Sequence, residues 1–444
     1  MVTAFVLLIA FVAIYAPAVG RGFIKDDFEW LAHSRFDSVA AARAVFTQAP
    51  SGFFRPMVSL SFAGGRFLYG FDARWYGLTN LLLALGCSVG VFALARALAL
   101  PPGAALLAAA VWAFNWHGIN VALLWISGRT ALTVVLFATF SAAAFASKRF
   151  WLASVLLLLT LLSKEEAVLL PFVLIAWAVG NAMVRRISSR PIAAFVVGSA
   201  AAEILYFFLR IQSGAFTPAT APSFYRFDFS LGTVVSNFGQ YLDRTATFAT
   251  VVVILWFVSA RQTTTRITAD LWSVIAFGMM WWLGTLAMTV FLPVRSSLYA
   301  CLPSVGIALV ASAFVTASWP TLSRSASRRA ILVVAALPFI LWPVYHARNL
   351  PLQREAELST DTLTALQRVA TERGAGIVVV VHDDRSSKPP LINPFGGFIQ
   401  DAANLIVRPT ISVWLDPPPT AGLQPPSHVD VELALKRGSI VQVR

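Results

Sequence analysis

The chain has 444 residues, of which 58% are hydrophobic and only 12% are charged. A water-soluble protein with this ratio would expose large apolar patches, so the composition excludes an ordinary soluble domain and indicates an integral membrane protein in contact with the lipid bilayer. The formal net charge of +13 is also found in nucleic-acid-binding proteins, but here the basic residues form short clusters between apolar runs. Without a basic stripe or tail, the pattern excludes nucleic acid as a partner and indicates membrane topology instead.

Apolar runs of about twenty residues, the length needed to cross a bilayer, recur along the chain. They predict an all-α polytopic membrane protein with about eleven transmembrane helices, within a range of nine to twelve. The predicted spans are 2–19, 77–99, 101–117, 121–146, 149–163, 165–184, 191–210, 243–260, 271–292, 296–318 and 330–347. No basic segment precedes the first run, so we interpret it as a retained helix; a cleaved signal peptide is the alternative.

Lysine and arginine residues concentrate in alternate short loops. They are Arg96; Lys148 and Arg149; Arg185, Arg186 and Arg190; Arg261 and Arg266; and Arg324, Arg328 and Arg329. Such loops face the cytoplasm in most membrane proteins. The pattern therefore predicts a multi-pass protein of the cell inner (plasma) membrane with a cytoplasmic N-terminus, and it places segments 20–76, 211–242 and 349–444 on the extracytoplasmic face.

The first of these segments, 20–76, contains the pattern of a short amphipathic helix. Asp37 and Ser38 provide a helix cap, and apolar residues follow at Val39, Ala42, Val45 and Phe46. We expect this helix to lie in the membrane interface beside the spans.

The tail, 349–444, differs in composition from the transmembrane module, 1–348, because charged residues, proline and glycine become frequent. An amphipathic helix is predicted at 353–372 and strands at 377–381 and 411–415, which together indicate a small α/β extracytoplasmic domain. His382, Asp383 and Asp384 follow the first strand. They form either a second polar site at the sheet edge or, as the plainer interpretation, a solvated loop.

Charged residues at the ends of apolar runs are costly to place there and are candidates for function. Four groups stand out: the pair Asp26 and Asp27; Arg129; the run Lys164, Glu165 and Glu166; and Arg295 with Tyr299. In the predicted topology they converge on the extracytoplasmic face, with Arg129 one or two helical turns below the others.

Each of these candidates also has a structural alternative. Arg295 has the position of a snorkelling anchor at a helix end. Arg129 can form an ion pair with Glu165 or Glu166, in which case Lys164 belongs to the same pair. His117, beside a tryptophan, is more typical of a residue that hydrogen-bonds at a helix end than of a ligand.

Six short sequences occur in one order along residues 1–345: GFIKDDF, FFRPMVSL, YGLTNLLL, SGR, SKEE and RSSLYACLPSVG. In this order the chain resembles the GT-C superfamily of polytopic glycosyltransferases. It is most similar to the membrane O-mannosyltransferases that carry tetratricopeptide repeats and to their bacterial relatives. Two features differ from that group, because no repeat domain follows the last span and the family's Pro, His and Glu after His117 are replaced at Gly118, Asn120 and Ala122.

The resemblance implies an enzyme that transfers a sugar from a polyprenyl-phosphate-linked donor to a glycan, lipid or protein acceptor in a periplasmic active site. Asp26 or Asp27 would act as the base that takes the proton of the acceptor hydroxyl. The leaving phosphate needs positive charge and hydrogen-bond donors rather than a general acid. The candidates for that role are Arg295, Arg129, Lys164, Arg55 and Tyr299, with Glu165, Glu166 and His117 in support.

Two alternatives stay open at this point. Asp26 and Asp27, with Glu165, are also suited to hold a divalent cation such as Mg²⁺ or Mn²⁺ that bridges to the phosphate. The charged groups could instead line the path of a membrane transporter or a lipid-linked saccharide flippase, without covalent chemistry. The sequence shows neither the repeat symmetry nor the interrupted midplane helices that are typical of transporters.

Overall fold

The computed structural model describes residues 2–185, 192–217, 219–261, 266–319, 323–384, 387–419, 425–436 and 438–443. Within these residues, eight helical segments are long and apolar enough to cross a membrane. They are Ala73–Ala97, Ile126–Ala146, Glu165–Val184, Ala193–Gln212, Leu231–Ala260, Ala269–Leu286, Ser297–Ser318 and Arg324–Arg373. Three shorter apolar helices accompany them: Val2–Tyr15, Pro102–Ala113 and Phe150–Leu161. The predicted class, a helical protein suited to multiple membrane crossings, agrees with this architecture.

We number the helices in chain order. They are α1 Val2–Tyr15, α2 Asp27–His33, α3 Val39–Thr47, α4 Pro56–Tyr69, α5 Ala73–Ala97, α6 Pro102–Ala113, α7 Ile119–Leu124, α8 Arg129–Ala146, α9 Phe150–Leu161, α10 Leu170–Arg185, α11 Ala193–Gln212, α12 Leu231–Ala260, α13 Ala269–Leu286, α14 Pro303–Ser318, α15 Arg324–Ile340, α16 Trp342–Arg373, α17 Ile392–Phe395 and α18 Ile399–Ile406. Of the basic residues in the predicted cytoplasmic loops, Arg186 and Arg190 lie outside the described residues.

Helix α12 begins at Leu231, well before the predicted span start at 243. The hydroxyl of Ser230 accepts a hydrogen bond from the N–H of Thr233 and caps this earlier start. The N-terminal part of this helix contains polar residues such as Gln240 and Asp243. Hydropathy therefore does not predict a span there, although polar residues are compatible with a helix that extends beyond the bilayer. Asp243, the first residue of the predicted span, therefore lies well inside the helix.

Close helix packing fixes the position of the segment that precedes α14. A Cβ on Gly278 of α13 or on Gly306 of α14 would overlap the backbone carbonyl oxygen of the other. Small residues permit such close contact between membrane helices, where packing rather than hydrophobicity drives association. The short 3-10 turn Ser297–Ala300, which carries Tyr299, continues directly into this packed pair.

The loop 20–76 contains three helices rather than one. The predicted cap is confirmed: the hydroxyl of Ser38 accepts a hydrogen bond of 3.1 Å from the N–H of Ala41 at the start of α3. Helices α2 and α4 were not predicted, because α2 has only seven residues and α4 is interrupted by two adjacent glycines.

The C-terminal domain contains a four-stranded sheet of order β2-β1-β3-β4, formed by β1 Val378–His382, β2 Ser412–Asp416, β3 Val431–Lys436 and β4 Ser439–Gln442. Strand β1 is parallel to β2 and β3, whereas β4 is antiparallel to β3. The predicted strands are confirmed within one residue. Strands β3 and β4 were missed because glutamate, lysine and glutamine interrupt their apolar residues.

Helix α16 links this sheet to the membrane helices and runs across the predicted domain boundary at 348/349. The hydrophobic core of the sheet continues into the loop 20–76, where the ring of Phe28 stacks on that of Phe395 with centroids 5.9 Å apart. The C-terminal domain therefore packs directly on the segment that carries Asp26 and Asp27.

Candidate active site

Asp27 is fully buried and closes a tight turn, residues 24–27, which we call the acidic turn. Its Oδ2 accepts the N–H of Ile24 at 2.8 Å, and its Oδ1 accepts the N–H of Ser127 at 2.6 Å as well as the Ser127 hydroxyl. Burial, and next the neighbouring charge of Asp26, raise the pKa of Asp27 to about 7. Because both carboxylate oxygens already accept hydrogen bonds, Asp27 holds the acidic turn against the 3-10 turn Ile126–Gly128.

Asp26 has a different environment although it is the adjacent residue. The residue as a whole is partly exposed, but its Oδ1 atom is buried and has no hydrogen-bond partner within the described structure. Burial raises the pKa of Asp26 to about 6, while a hydrogen bond from the Ser127 side chain and the nearby charge of Arg55 act in the opposite direction. A carboxylate that has a free oxygen and titrates near neutrality is suited to take a proton as a general base.

Two ion pairs lie beside the acidic turn. Arg55 donates from Nε to Oε2 of Glu165 at 3.0 Å and from Nη2 to Oε1 at 2.5 Å, the bidentate geometry of a strong pair. Lys164 forms an ion pair with Glu166 and lies 4.7 Å from the ring centroid of Tyr299. The structure thus brings together five candidate residues from distant positions in the sequence: Arg55, Lys164, Glu165, Glu166 and Tyr299. Each of the two cations forms an ion pair with one of the two glutamates.

A cavity of about 390 Å³ opens next to these pairs, and Glu165, Glu166 and Tyr299 form part of its wall. We call it the aromatic cavity, because much of the remaining wall is aromatic: Phe53, Tyr206, Phe207, Phe216, Tyr225 and Phe227. Asp26 does not itself line this cavity; Arg55 connects the two, because it pairs with Glu165, lies 4.3 Å from the Phe53 ring centroid and acts by its charge on Asp26. The acidic turn and the aromatic cavity therefore belong to the same site.

Arg210, at the C-terminal end of α11, also lines the aromatic cavity. It donates to the carbonyl of Phe216 at 2.9 Å and to the hydroxyl of Tyr206 at 3.4 Å, and among the described residues it pairs with no carboxylate. The sequence analysis missed it, because an arginine at the end of an apolar run is typical of a snorkelling anchor. Its uncompensated charge makes it the cation best suited to an anionic ligand.

Arg129 does not reach the cavity. It is 1% exposed, and its guanidinium donates to Oδ1 of Asn80 at 3.2 Å, to the hydroxyl of Ser61 at 3.1 Å and to the carbonyl of Tyr76 at 3.2 Å. The alternative ion pair with Glu165 or Glu166 is not formed, because those acids pair with other cations. Arg129 instead joins α4, α5 and α8 behind the acidic turn.

Arg295 and His117 also lie away from the cavity wall. Arg295 is exposed and donates to Oδ1 of Asn237 at 2.7 Å and to the hydroxyl of Ser236 at 3.1 Å, both on α12. The Nε2 atom of His117 is 4.0 Å from Oδ2 of Asp243. These contacts agree with the structural alternatives: an anchor for Arg295 and a helix-end contact for His117.

The proposed metal ligands do not form a ligand set. Asp27 already accepts three hydrogen bonds, and both oxygens of Glu165 face Arg55. Across the ranges that the structure describes, no three side chains of histidine, cysteine, aspartate or glutamate converge as ligands for an ion. In this structure these acids accept hydrogen bonds and form ion pairs, and a divalent cation as cofactor stays a prediction.

The polar run after β1 is tied into the C-terminal sheet. The two ring nitrogens of His382 lie 2.9 Å from Oδ2 of Asp416 and 3.3 Å from Oε2 of Glu432. Asp383 accepts two backbone N–H groups of the following loop, and Asp384 accepts from a serine hydroxyl. These contacts are internal to the domain, Asp384 is exposed, and none of the three residues lines the aromatic cavity.

Comparisons with protein-family models and with curated protein sequences give no match to this chain. Its function is therefore inferred from the chemistry of the site. That site combines a carboxylate with a free oxygen, an uncompensated cation and a cavity with aromatic walls, all at one end of the apolar helices.

Proposed function

We propose that the protein is an integral membrane glycosyltransferase of the GT-C type, which transfers a sugar from a polyprenyl-phosphate-linked donor to an acceptor on the extracytoplasmic face. The observation that carries this proposal is the cluster in which Arg55, whose charge acts on Asp26, pairs with Glu165 on the wall of the aromatic cavity, with Arg210 on the same wall. Aromatic rings are suited to stack against a sugar, and apolar side chains such as Ile211 and Leu292 are suited to the first units of the polyprenyl chain.

The proposed topology has eleven spans, in which the three shorter apolar helices cross together with the eight longer ones. The basic loops favour a cytoplasmic N-terminus and an extracytoplasmic C-terminal domain. Contacts between distant helix ends support this arrangement, since Asp27 with Ser127 and Arg55 with Glu165 join ends that the basic loops assign to the same side.

In the proposed reaction the hydroxyl oxygen of the acceptor attacks the anomeric carbon while Asp26 takes the hydroxyl proton. The bond between the anomeric carbon and the phosphate oxygen breaks, and polyprenyl phosphate leaves with the electron pair. This single displacement inverts the anomeric configuration. Arg210 would stabilise the charge that accumulates on the leaving phosphate, and the two ion pairs would keep Arg55 and Lys164 in fixed positions near it.

Arg210 replaces Arg295 as the first choice for phosphate binding in this proposal. Arg295 is hydrogen-bonded to α12 and does not line the aromatic cavity, whereas Arg210 lies on its wall without a carboxylate partner in the described structure. An uncompensated cation attracts a phosphate more strongly than a cation already neutralised by an acid.

A donor screen tests the proposal. Purified protein is incubated with a panel of labelled polyprenyl-phosphate sugars and a mixture of glycan, lipid and peptide acceptors, and release of the carrier is measured. We expect carrier release with at least one donor and its loss in Asp26→Asn. If the protein moves lipid-linked sugars across a vesicle bilayer without releasing the carrier, the transporter or flippase alternative is correct and the proposal is overturned.

A further inference from the structure

We propose that Glu355, on helix α16, is a positioning residue for the base Asp26 and acts through Lys25. This inference rests on the proposed function, because it assigns Asp26 the role of base. It gives the C-terminal domain and the helix that leads into it a role in the reaction, namely to hold the acidic turn in its working conformation.

The backbone of Lys25 is in an unusual conformation. Its φ is 55°, in the left-handed region that residues with a Cβ seldom adopt. Such a conformation persists only where neighbouring groups hold it, and it is found often at functional sites. Because Lys25 directly precedes Asp26, its backbone angles set the direction in which the Asp26 carboxylate points.

The groups that hold Lys25 come mainly from α16 and the C-terminal domain. Its N–H donates to the carbonyl oxygen of Pro394 at 2.6 Å, and its Nζ lies 2.9 Å from Oε2 of Glu355. Nζ also lies 5.7 Å from the centroid of the Trp125 ring. Both ends of the residue, the backbone and the ammonium group, are therefore fixed from outside the loop 20–76.

Glu355 is itself held in place. It is 9% exposed, and its Oε1 accepts a hydrogen bond of 3.3 Å from Nδ2 of Asn393, the residue next to Pro394. The pair is buried on the Glu355 side only, because 37% of the Lys25 side chain is exposed, so loss of the carboxylate would free the ammonium group to turn towards water. The carboxylate and the short helix α17 thus act together on Lys25.

Further contacts pack the acidic turn firmly against helix α16. The hydroxyl of Thr360 donates to the carbonyl of Arg21 at 2.9 Å, and a Cβ on Gly22 would overlap the carbonyl oxygen of Ala356. With the Phe28–Phe395 stack, these contacts anchor the turn on both sides of Lys25. A change at Glu355 should therefore act locally on Lys25 and leave the larger interface in place.

The first test is Glu355→Gln, which keeps the size and the contact with Asn393 but removes the charge. We expect kcat to fall on the order of 10- to 100-fold, as for a misplaced catalytic group, with little change in KM for the donor. The control is Glu357→Gln on the same helix, whose contact with Arg21 is 3.9 Å long between two half-exposed side chains. We expect the control to keep the activity of the unmodified protein.

The second test is rescue. Lys25→Glu and Glu355→Lys should each lower kcat, and the double variant should recover some of it because the pair is restored with reversed charges. Suppose that Asp26→Asn abolishes activity while the separate variant Glu355→Gln keeps an unchanged kcat. That result would overturn the positioning role of Glu355 and leave the proposed function intact.

A third measurement does not depend on activity. Hydrogen exchange of the backbone amides of residues 22–30 should become faster in Glu355→Gln than in Glu357→Gln, because the left-handed turn loses its support. Equal protection in the two variants would overturn the inference even if no sugar donor is ever turned over. Failure of every donor together with faster exchange would instead count against the proposed function alone.

Discussion

The backbone N–H of Ser127 donates a hydrogen bond of 2.6 Å to Oδ1 of Asp27, and the Ser127 hydroxyl donates to the same oxygen. This contact separates the roles of two adjacent acids. Both carboxylate oxygens of Asp27 accept hydrogen bonds that stabilise the fold. Asp26, in contrast, has one oxygen without a hydrogen-bond partner in the described structure. The following predictions depend on that separation and on the aromatic cavity beside it.

Asp27→Ala should lower stability, and Asp26→Asn should not. Without the Asp27 carboxylate, the N–H groups of Ile24 and Ser127 lose their acceptor, which costs about 1–3 kcal/mol for each buried group. Asp26→Asn removes a charge that burial disfavours, so its thermal unfolding temperature in detergent should equal or exceed that of the unmodified protein. The opposite order of stabilities would show that Asp26, rather than Asp27, holds the turn.

The pH dependence of transfer should show an acid limb near pH 6. Burial raises the pKa of Asp26 to about 6, and a general base must be deprotonated to act, so kcat/KM should fall about tenfold per pH unit below that value. Because Asp26 and Asp27 are neighbours, the apparent pKa belongs to the pair. A rate that stays constant between pH 5 and pH 8 would exclude Asp26 as the base.

The raised pKa values of these acids also predict how stability depends on pH. A carboxyl whose pKa is higher in the folded state than in the unfolded state binds its proton more tightly when folded. Its contribution to stability is therefore greatest below the ordinary pKa of about 3.9 and declines as the pH rises towards about 6 for Asp26. Between pH 4 and pH 6 the thermal unfolding temperature should fall less in Asp26→Asn than in the unmodified protein.

Arg210→Gln should raise KM for the donor at least about tenfold, because it removes a charge-assisted contact with the donor phosphate. Arg295→Gln is the matched control, since it removes the same charge from a residue that does not line the aromatic cavity. Initial rates at varied donor concentration measure both. An effect of Arg295→Gln larger than that of Arg210→Gln would return the phosphate site to Arg295.

The Arg55–Glu165 pair should show strong energetic coupling. A double-mutant cycle combines Arg55→Gln with Glu165→Gln and measures the free energy of unfolding of each variant. The coupling energy between the two side chains should be about 1–3 kcal/mol, because Arg55 is only 8% exposed. The pair Arg74–Asp72 is the control: its arginine side chain is 83% exposed, so solvent screening should leave a clearly weaker coupling. Equal coupling in the two cycles would mean that the pair contributes nothing specific to the site.

The membrane helices could be predicted from the sequence because their signal is local: an apolar run long enough to cross a bilayer. The prediction failed where polar residues continue a helix, as at the start of α12, and where short strands carry charged residues, as in β3. In both places the tertiary environment rather than local composition decides the structure.

The site was only partly predictable, for a related reason. Hydropathy and motif order singled out Arg55 and Glu165, but their pairing depends on the fold, because 110 positions separate them along the chain. Adjacency in the sequence says nothing about the different environments of Asp26 and Asp27, because the N–H groups of Ile24 and Ser127 that occupy both oxygens of Asp27 are brought there by the fold. Arg210 carries no local signal that distinguishes it from an ordinary anchor at a helix end.

The salt bridge from Lys25 to Glu355 has a consequence for biosynthesis. The acidic turn precedes α16 by more than three hundred positions, so it is translated before Glu355, which supports it. During synthesis the acidic turn can therefore adopt its final conformation only after α16 has been translated. A nascent chain stalled before α16 would carry Asp26 and Asp27 without the contact that fixes Lys25, and the acidic turn would lack its final geometry.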